Sequence, residues 1–218
     1  MNKLYKKISF ITSTKWSGTL LLVSIIFMVP FTKVKAQDDR RFGAGIKAGV
    51  NLAQIDGDNL FGFDQIGAMG GITALARINR VLDLNVEFLF SQRGSHFSKN
   101  DPPLVAFRLN YLEVPFILNV KDWLTNTGEK SYYRMHFQGG FSLGRLISSS
   151  SLSGLDQDFK KNDLSWLIGF NYYYASRWAL NARYTRSLTP LIEFTSNNNE
   201  VRMISYFLSL GLQYRFNP

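Results

Sequence analysis

Residues 204–216 read ISYFLSLGLQYRF, and this stretch decides the fold. Every even position, from Ile204 to Phe216, carries a large apolar or aromatic side chain, whereas the odd positions are mostly small or polar, with Phe207 the exception. Such alternation is the period of a β-strand, and a strand of this length exceeds the usual strand of a soluble protein. A long strand with one apolar face suits a transmembrane β-barrel, in which one face meets lipid and the other a polar interior.

Seven further segments of the chain show the same alternation. They are residues 42–52, 65–78, 82–93, 105–120, 133–143, 164–174 and 177–188. With the last strand they predict an all-β protein, an eight-stranded antiparallel up-and-down transmembrane β-barrel. Glycine pairs such as Gly70-Gly71 and Gly139-Gly140 fall inside strands, where they indicate bends of a barrel wall.

The connections between these segments differ in length. Tight turns are expected at 79–80 and 176–177, and an intermediate link at 121–130. The long polar connections are 53–64, 97–104, 148–162 and 189–200. Short turns at one end and long loops at the other are typical of outer-membrane barrels. A soluble barrel or sandwich with its apolar faces turned inward is the alternative that alternation alone leaves open.

The N-terminus has the pattern of a secretory signal. Basic residues precede an apolar run at 18–31, and Val34-Lys35-Ala36 is a small-residue cleavage site before Gln37. The run is shorter than the ~20 residues that a membrane-spanning helix needs. We therefore expect residues 1–36 to be a cleaved signal peptide and residues 37–218 to be one barrel domain.

The charge and the composition narrow the class of protein further. The whole chain has a formal charge of +9, but six lysines lie in residues 1–36, so the mature part has 19 basic and 16 acidic residues and a charge of +3. The basic character therefore gives no support for nucleic-acid binding. The absence of cysteine excludes disulfides, cysteine metal sites and a lipoprotein anchor.

Several of these strands resemble one family. The segments 45–51 (GIKAGVN), 111–118 (YLEVPFIL) and 183–189 (RYTRSLT), with Tyr214-Arg215-Phe216 at the end, are similar to the strands of PorT-like outer-membrane β-barrel proteins of Bacteroidetes-type bacteria. Ser187 departs from the glycine often found there, and two residues follow Phe216. The resemblance spans residues 42–216 and implies a barrel fold and a place in the outer membrane, without an activity.

The polar faces of the predicted strands should collect charges inside the barrel. By parity the inward set holds Lys47, Arg77, Asp83, Glu87, Arg93, Glu113, Arg134, His136, Arg183 and Arg215. Eight strands enclose a space that side chains can fill, and buried charges must be paired. We expect a plug of ion pairs, and any remaining lumen should favour anions, because basic groups outnumber acids.

The sequence offers little for catalysis. His96 and Ser98 share a strand face that parity turns towards lipid, where a lipid-modifying hydrolase could use such a pair, but no acid is placed beside them. We predict no enzymatic activity, no catalytic residues, no cofactor and no metal site.

The predicted function is that of an outer-membrane protein with a structural or interaction role carried by its extracellular loops, and no wide pore. A narrow, anion-leaning small-solute channel and a lipid-modifying enzyme are the alternatives. Expected partners are outer-membrane lipid, the barrel-assembly machinery through the last strand, and a protein or ligand at the loops, but no nucleic acid.

Aromatic residues near strand ends should form girdles at the two membrane surfaces; these are Trp123, Tyr174, Trp178, Tyr214, Phe216, Trp166 and Tyr184.

Overall fold

A computed structural model describes residues 41–56, 65–95, 107–127, 130–151, 159–196 and 199–216. All regular elements in these ranges are β-strands. They are β1 (Phe42–Asp56), β2 (Gln65–Arg77), β3 (Leu82–Ser95), β4 (Phe107–Thr127), β5 (Lys130–Ser151), β6 (Asn162–Tyr173), β7 (Trp178–Ser187), β8 (Ile192–Ser196) and β9 (Asn199–Arg215).

Eight of these strands close into a barrel. Neighbours along the chain pair antiparallel from β1 to β7, β7 then pairs with β9, and β9 returns to β1 through a register that runs from Gly45↔Arg215 to Asp56↔Ile204. The closed ladder leaves no free edge within the wall, as a bilayer requires of backbone polar groups. The predicted eight-stranded antiparallel barrel is confirmed.

The strand β8 lies in a segment for which the sequence predicted only a loop, residues 189–200. It pairs with the first part of β9, from Ile192↔Met203 to Ser196↔Asn199, beyond the wall of the barrel. The start of β9 projects past β7, so its backbone groups need another partner, and β8 folds back to supply one.

The strands β4 and β5 are longer than their sequence patterns indicate. Residues 121–130 read as a polar link, yet their antiparallel pairing continues to Thr127↔Lys130. The alternation of side chains fades there because both faces of a strand that leaves the membrane can carry polar groups. The connections at this end of the barrel are all short, and we call it the short-turn end; the opposite end is the long-loop end.

The two faces of the wall have opposite chemistry. Apolar side chains point outward, with Ile72 60% exposed and Phe141 59% exposed, whereas Asn85 and Asn171 on the inner face are fully buried. A soluble barrel has the reverse arrangement. The soluble alternative is therefore ruled out by which face is apolar, a question that strand periodicity leaves open.

Aromatic side chains form clusters on the outer surface at two heights. Near the short-turn end Trp178 packs on Tyr214, with ring centroids 4.8 Å apart, and Tyr214 on Phe216, at 5.7 Å. Towards the long-loop end Trp166 and Tyr184 lie 5.5 Å apart. These positions agree with the predicted girdles at the two membrane surfaces.

Glycines at the inner face let the strands bend closely past one another. A Cβ atom on Gly71 would overlap the carbonyl oxygen of Phe88, and one on Gly140 would overlap that of Phe116.

Candidate functional site: the barrel interior

The middle of the interior holds a buried carboxylate between two cations, which we call the central ion pairs. Arg183 donates from Nη1 to Glu87 Oε2 at 2.8 Å and from Nη2 to Glu87 Oε1 at 3.0 Å. Lys47 Nζ lies 3.5 Å from Oε1 of the same carboxylate. The bidentate Arg183 contact is the stronger of the two, because the planar guanidinium matches the two carboxylate oxygens.

A second charged group, the upper ion pairs, lies nearer the long-loop end. Arg93 is 1% exposed; its Nη2 is 2.6 Å from Glu113 Oε1 and its Nη1 is 2.8 Å from Asp163 Oδ2. The rings of Tyr111 and Phe207 lie 4.7 Å and 4.2 Å from the guanidinium carbon. Phe207, the one exception to the alternation of the last strand, therefore points inward and packs on this cation.

Asp163 was missed by the sequence reasoning because the predicted sixth strand began one residue later. Besides Arg93, it accepts hydrogen bonds from Ser165, Ser187 and Thr189, at 2.8, 3.2 and 3.0 Å. Parity could have found it, since Asp163 is on the same face as Ser165 and Asn171. Donors on several sides hold this carboxylate in one orientation.

A chain of side-chain amides lies on the short-turn side of the central ion pairs, and we call it the amide chain. Asn181 is its hub, donating to Asn171 Oδ1 at 2.6 Å and to Gln138 Oε1 at 3.1 Å. Asn171 donates onward to Gln213 at 3.1 Å, and Gln138 to Asn119 at 2.9 Å. Arg183 Nη2 joins this chain to the ion pairs through Gln138, at 3.3 Å.

Apolar residues close the interior at the long-loop end, and we call this group the apolar cap. Its members come from β4, the segment before β6, the segment around the start of β8, and β9; they are Leu109, Tyr111, Phe159, Leu191, Ile192 and Met203, with Leu146 packed against them. Backbone hydrogen bonds hold the crossing segments together, from Lys160 N to Leu191 O at 2.9 Å and from Leu191 N to Met203 O at 2.8 Å. No sequence pattern predicted this cap, because its residues come from strands and connections that are far apart in the chain.

The short-turn end of the interior is different. Lys121 Nζ is 2.7 Å from Asp83 Oδ1, and Arg215 Nη2 is 3.4 Å from Nδ1 of the buried His136. Lys121 belonged to a predicted link and was not expected to face inward. Its strand continues beyond the predicted end, which gives it the parity of Asn119 and places it opposite Asp83.

The predicted inward residues divide by height in the barrel. Seven of the ten are buried inside it: Lys47, Asp83, Glu87, Arg93, Glu113, His136 and Arg183. Arg134 and Arg215 are half-buried, and Arg77 is exposed although it pairs with Asp83 in the β2–β3 register, because the wall of the barrel ends there.

The charges of the two ion-pair groups balance. Three cations, Lys47, Arg93 and Arg183, share the interior with three carboxylates, Glu87, Glu113 and Asp163. At the two ion-pair levels, paired side chains from several strands meet across the interior. Near Arg215 and Gln213 a cavity among the described residues measures about 10 Å³, room for about one water.

The described residues show neither the predicted histidine–serine pair nor a metal-binding group. His96 and Ser98 lie outside them, so their predicted surface position stays a prediction. Within the described ranges no group of three or more His, Asp or Glu side chains is arranged to hold a metal ion. In the same ranges no helix is long and apolar enough to cross a bilayer.

The fold and the filled polar interior together define a small membrane-spanning β-barrel protein. Residues 35–193 match the family model of the outer membrane protein beta-barrel domain, so the chain belongs to that family and lies in the outer membrane. The short-turn end then faces the periplasm and the long-loop end the outside of the cell.

Several solved structures are similar to this chain. Neisserial surface protein A (NspA) shares 20% identity with a TM-score of 0.45, over 80% of this chain and 97% of that one. Ail, the attachment invasion locus protein of Yersinia pestis, shares 14% with a TM-score of 0.40, over 80% and 98%. The N-terminal β-barrel domain of Pseudomonas aeruginosa OprF shares 10% with a TM-score of 0.37, over 80% and 97%. No curated protein matches the chain.

Proposed function

We propose that this protein is a sealed outer-membrane barrel whose role is structural or interactive and is carried by its extracellular surface, without solute transport and without catalysis. The observation that carries the proposal is the double closure of the interior. The apolar cap covers the outer end, and the upper ion pairs lie directly beneath it through the contact of Tyr111 with Arg93. An ion crossing the barrel would have to displace both.

The strand β8 supports an interaction role for the outer end. It extends the sheet beyond the wall of the barrel through its pairing with β9. Backbone hydrogen bonds between the segments around residues 160, 191 and 203 hold this extension on the apolar cap. A rigid platform at the cell surface is what a binding surface needs, because little ordering entropy is then lost on binding.

The narrow anion channel is the alternative that a conductance measurement tests. Purified wild-type protein should show no steady conductance in a planar lipid bilayer. Deletion of residues 152–158, which leaves the ion pairs intact, should not change this, whereas Arg93→Ala combined with Glu113→Ala should produce measurable openings. A steady, anion-selective wild-type current would contradict the sealed-barrel proposal.

The interaction role needs its own experiment. Cells that display the protein should bind a surface or a soluble partner, and replacing residues 152–158 by a short glycine-serine linker should abolish this binding while leaving the heat-dependent gel mobility of a folded barrel. The matched control replaces residues 128–129, which connect β4 and β5 on the periplasmic side. If both variants bind equally well, residues 152–158 do not carry the proposed interaction.

We also propose the finer points that the sequence suggests about family and assembly. The strand motifs at 45–51, 111–118 and 183–189 support membership of the PorT-like group within the barrel family. The signal at residues 1–36 supports export, and the aromatic end of β9 supports recognition by the barrel-assembly machinery. Sequencing the N-terminus of the protein from outer membranes should give Gln37 as the first residue.

A further inference from the structure

The periplasmic end of the interior carries more positive charge than it can neutralise. Among the described residues, three basic side chains gather there around a single carboxylate, Asp83: Arg77, Lys121 and Arg215. Arg134 lies at the same end of the barrel, and we call this group the periplasmic mouth. Asp83 faces Arg77 in the β2–β3 register and binds Lys121 at 2.7 Å. Arg77 and Arg215 both lie close enough to the Lys121 ammonium to repel it.

Arg215 and Arg134, both half-buried, have no carboxylate partner in the described part of the chain. Arg215 contacts the ring of His136 and lies over the ring of Tyr173, 4.6 Å from its centroid. Arg134 lies 5.6 Å from the ring of Trp123. The aromatic contacts fix the guanidinium groups in place and leave part of their hydrogen-bonding capacity unused.

Unused polar atoms surround the same space. The Nε atoms of Arg134 and Arg215 are buried without a partner in the described part of the structure, and so are Nδ2 of Asn119 and both amide atoms of Asn85. Asn85 and Asn119 are fully buried. Asn119 pairs with Asp83 in the β3–β4 register, and Asn85 is two residues from Asp83 on the same face, so both border the mouth. Buried donors normally have acceptors.

We propose that the periplasmic mouth is a binding site for an oxyanion, a phosphate group presented from the periplasmic side. Guanidinium, ammonium and amide N–H groups converge there with an excess of positive charge, and a phosphate supplies acceptor oxygens in several directions at once. The amide chain and the central ion pairs close the interior above the site, so the anion binds and does not pass. The inference is independent of the proposed role of the outer surface.

The phosphate can come from a free anion or from the headgroup of a phospholipid in the inner leaflet. The test uses the full protein in uncharged detergent, titrated with inorganic phosphate at constant ionic strength. The readout is the NMR signals of the side-chain amides. The signals of Asn85 and Asn119 should shift and saturate, whereas that of Asn181, above the site, should shift little.

A titration in nanodiscs containing phosphatidylglycerol separates the two sources. If the site binds the lipid headgroup, the headgroup occupies it and added phosphate causes no further shift. If the site binds free phosphate alone, the shifts are the same as in detergent.

Matched variants make the assignment specific. Arg215→Gln should weaken phosphate binding about tenfold, because one charge-assisted contact is lost. Arg215→Lys should retain part of the affinity. Arg80→Gln, which makes the same charge change at an exposed turn, should bind like the wild type within about twofold. Heat-dependent gel mobility establishes that each variant is folded.

Saturable shifts that Arg215→Gln weakens and Arg80→Gln leaves unchanged support the site. The absence of saturable shifts in both detergent and phosphatidylglycerol nanodiscs overturns it. Equal weakening by Arg215→Gln and Arg80→Gln also overturns it, since that result indicates a general effect of net charge.

Discussion

The two ends of the barrel interior treat charge in opposite ways. In the outer half the buried cation Arg93 meets two carboxylates, Glu113 and Asp163, and an apolar cap covers the pairs. At the periplasmic end Arg134 and Arg215 meet only aromatic rings and a histidine among the described residues. Charges far from water must be paired within the protein, whereas charges near an opening can use water or a ligand. The ion pairs of the outer half therefore stabilise the fold, whereas the arginines at the periplasmic end have hydrogen-bonding capacity that a ligand can use.

The largest effect is expected from breaking the upper ion pairs. Arg93→Ala leaves two carboxylates buried without a cation, and this should lower the free energy of unfolding by about 3–5 kcal/mol. Urea-dependent unfolding in lipid vesicles, followed by tryptophan fluorescence, measures the change. Arg108→Ala, at an exposed position of β4, is the matched control and should change stability by less than about 0.5 kcal/mol. A similar small value for Arg93→Ala would mean that the outer half is not held by these pairs.

The central ion pairs allow a comparison within one group. Glu87→Gln leaves Lys47 and Arg183 facing each other and should cost about 3 kcal/mol. Lys47→Met leaves the bidentate Glu87–Arg183 pair intact and should cost less than about 1 kcal/mol, because Lys47 makes only a 3.5 Å contact. The same unfolding assay ranks the two variants. If Lys47→Met proves the more harmful, Lys47 rather than Arg183 is the main partner of Glu87.

The amide chain should contribute less, since its members are neutral. Asn181→Ala removes the hub and leaves amide groups of Asn171 and Gln138 with fewer partners, which should cost about 1–3 kcal/mol. Asn85→Ala removes a buried amide whose side-chain atoms have no partner among the described residues, and should cost less. Equal decreases in the free energy of unfolding for the two variants would indicate that the side-chain amide of Asn85 is hydrogen-bonded as completely as that of Asn181.

The periplasmic mouth allows a comparison of stability with binding. Asp83→Asn removes the buried carboxylate bound to Lys121, and should lower the free energy of unfolding by about 1–3 kcal/mol, because the Lys121 ammonium lies near the opening and can reach water. It also removes the negative charge of the mouth, so phosphate binding should become tighter rather than weaker. The amide titration measures this gain, with Asp122→Asn on the outer face as the control. Weaker phosphate binding by Asp83→Asn would place the anion elsewhere.

The sequence predicted the wall of this protein better than its ends. Alternation and the lengths of the connections indicated eight strands and their faces, and Lys47, Glu87, Arg93 and Arg183 were placed inside by parity alone. The errors lie where the chain leaves the membrane. There polar residues occupy both faces of a strand, so the continuation of β4 and β5, the added strand β8 and the exposure of Arg77 leave no periodic signal.

The sequence by itself predicted an eight-stranded membrane barrel with a charged interior, because strand length, the signal pattern and the lengths of the connections favoured lipid over water. Alternation gave each strand one apolar and one polar face, and the structure decided that the apolar face points outward. Which charges pair was decided by the tertiary structure alone. Arg93 and Asp163 are 70 residues apart, and Glu87 and Arg183 are 96 apart, and only the closure and the register of the barrel bring them into contact. The same holds for the apolar cap and the periplasmic arginines, because the balance of charge at each height depends on side chains from every strand of the wall.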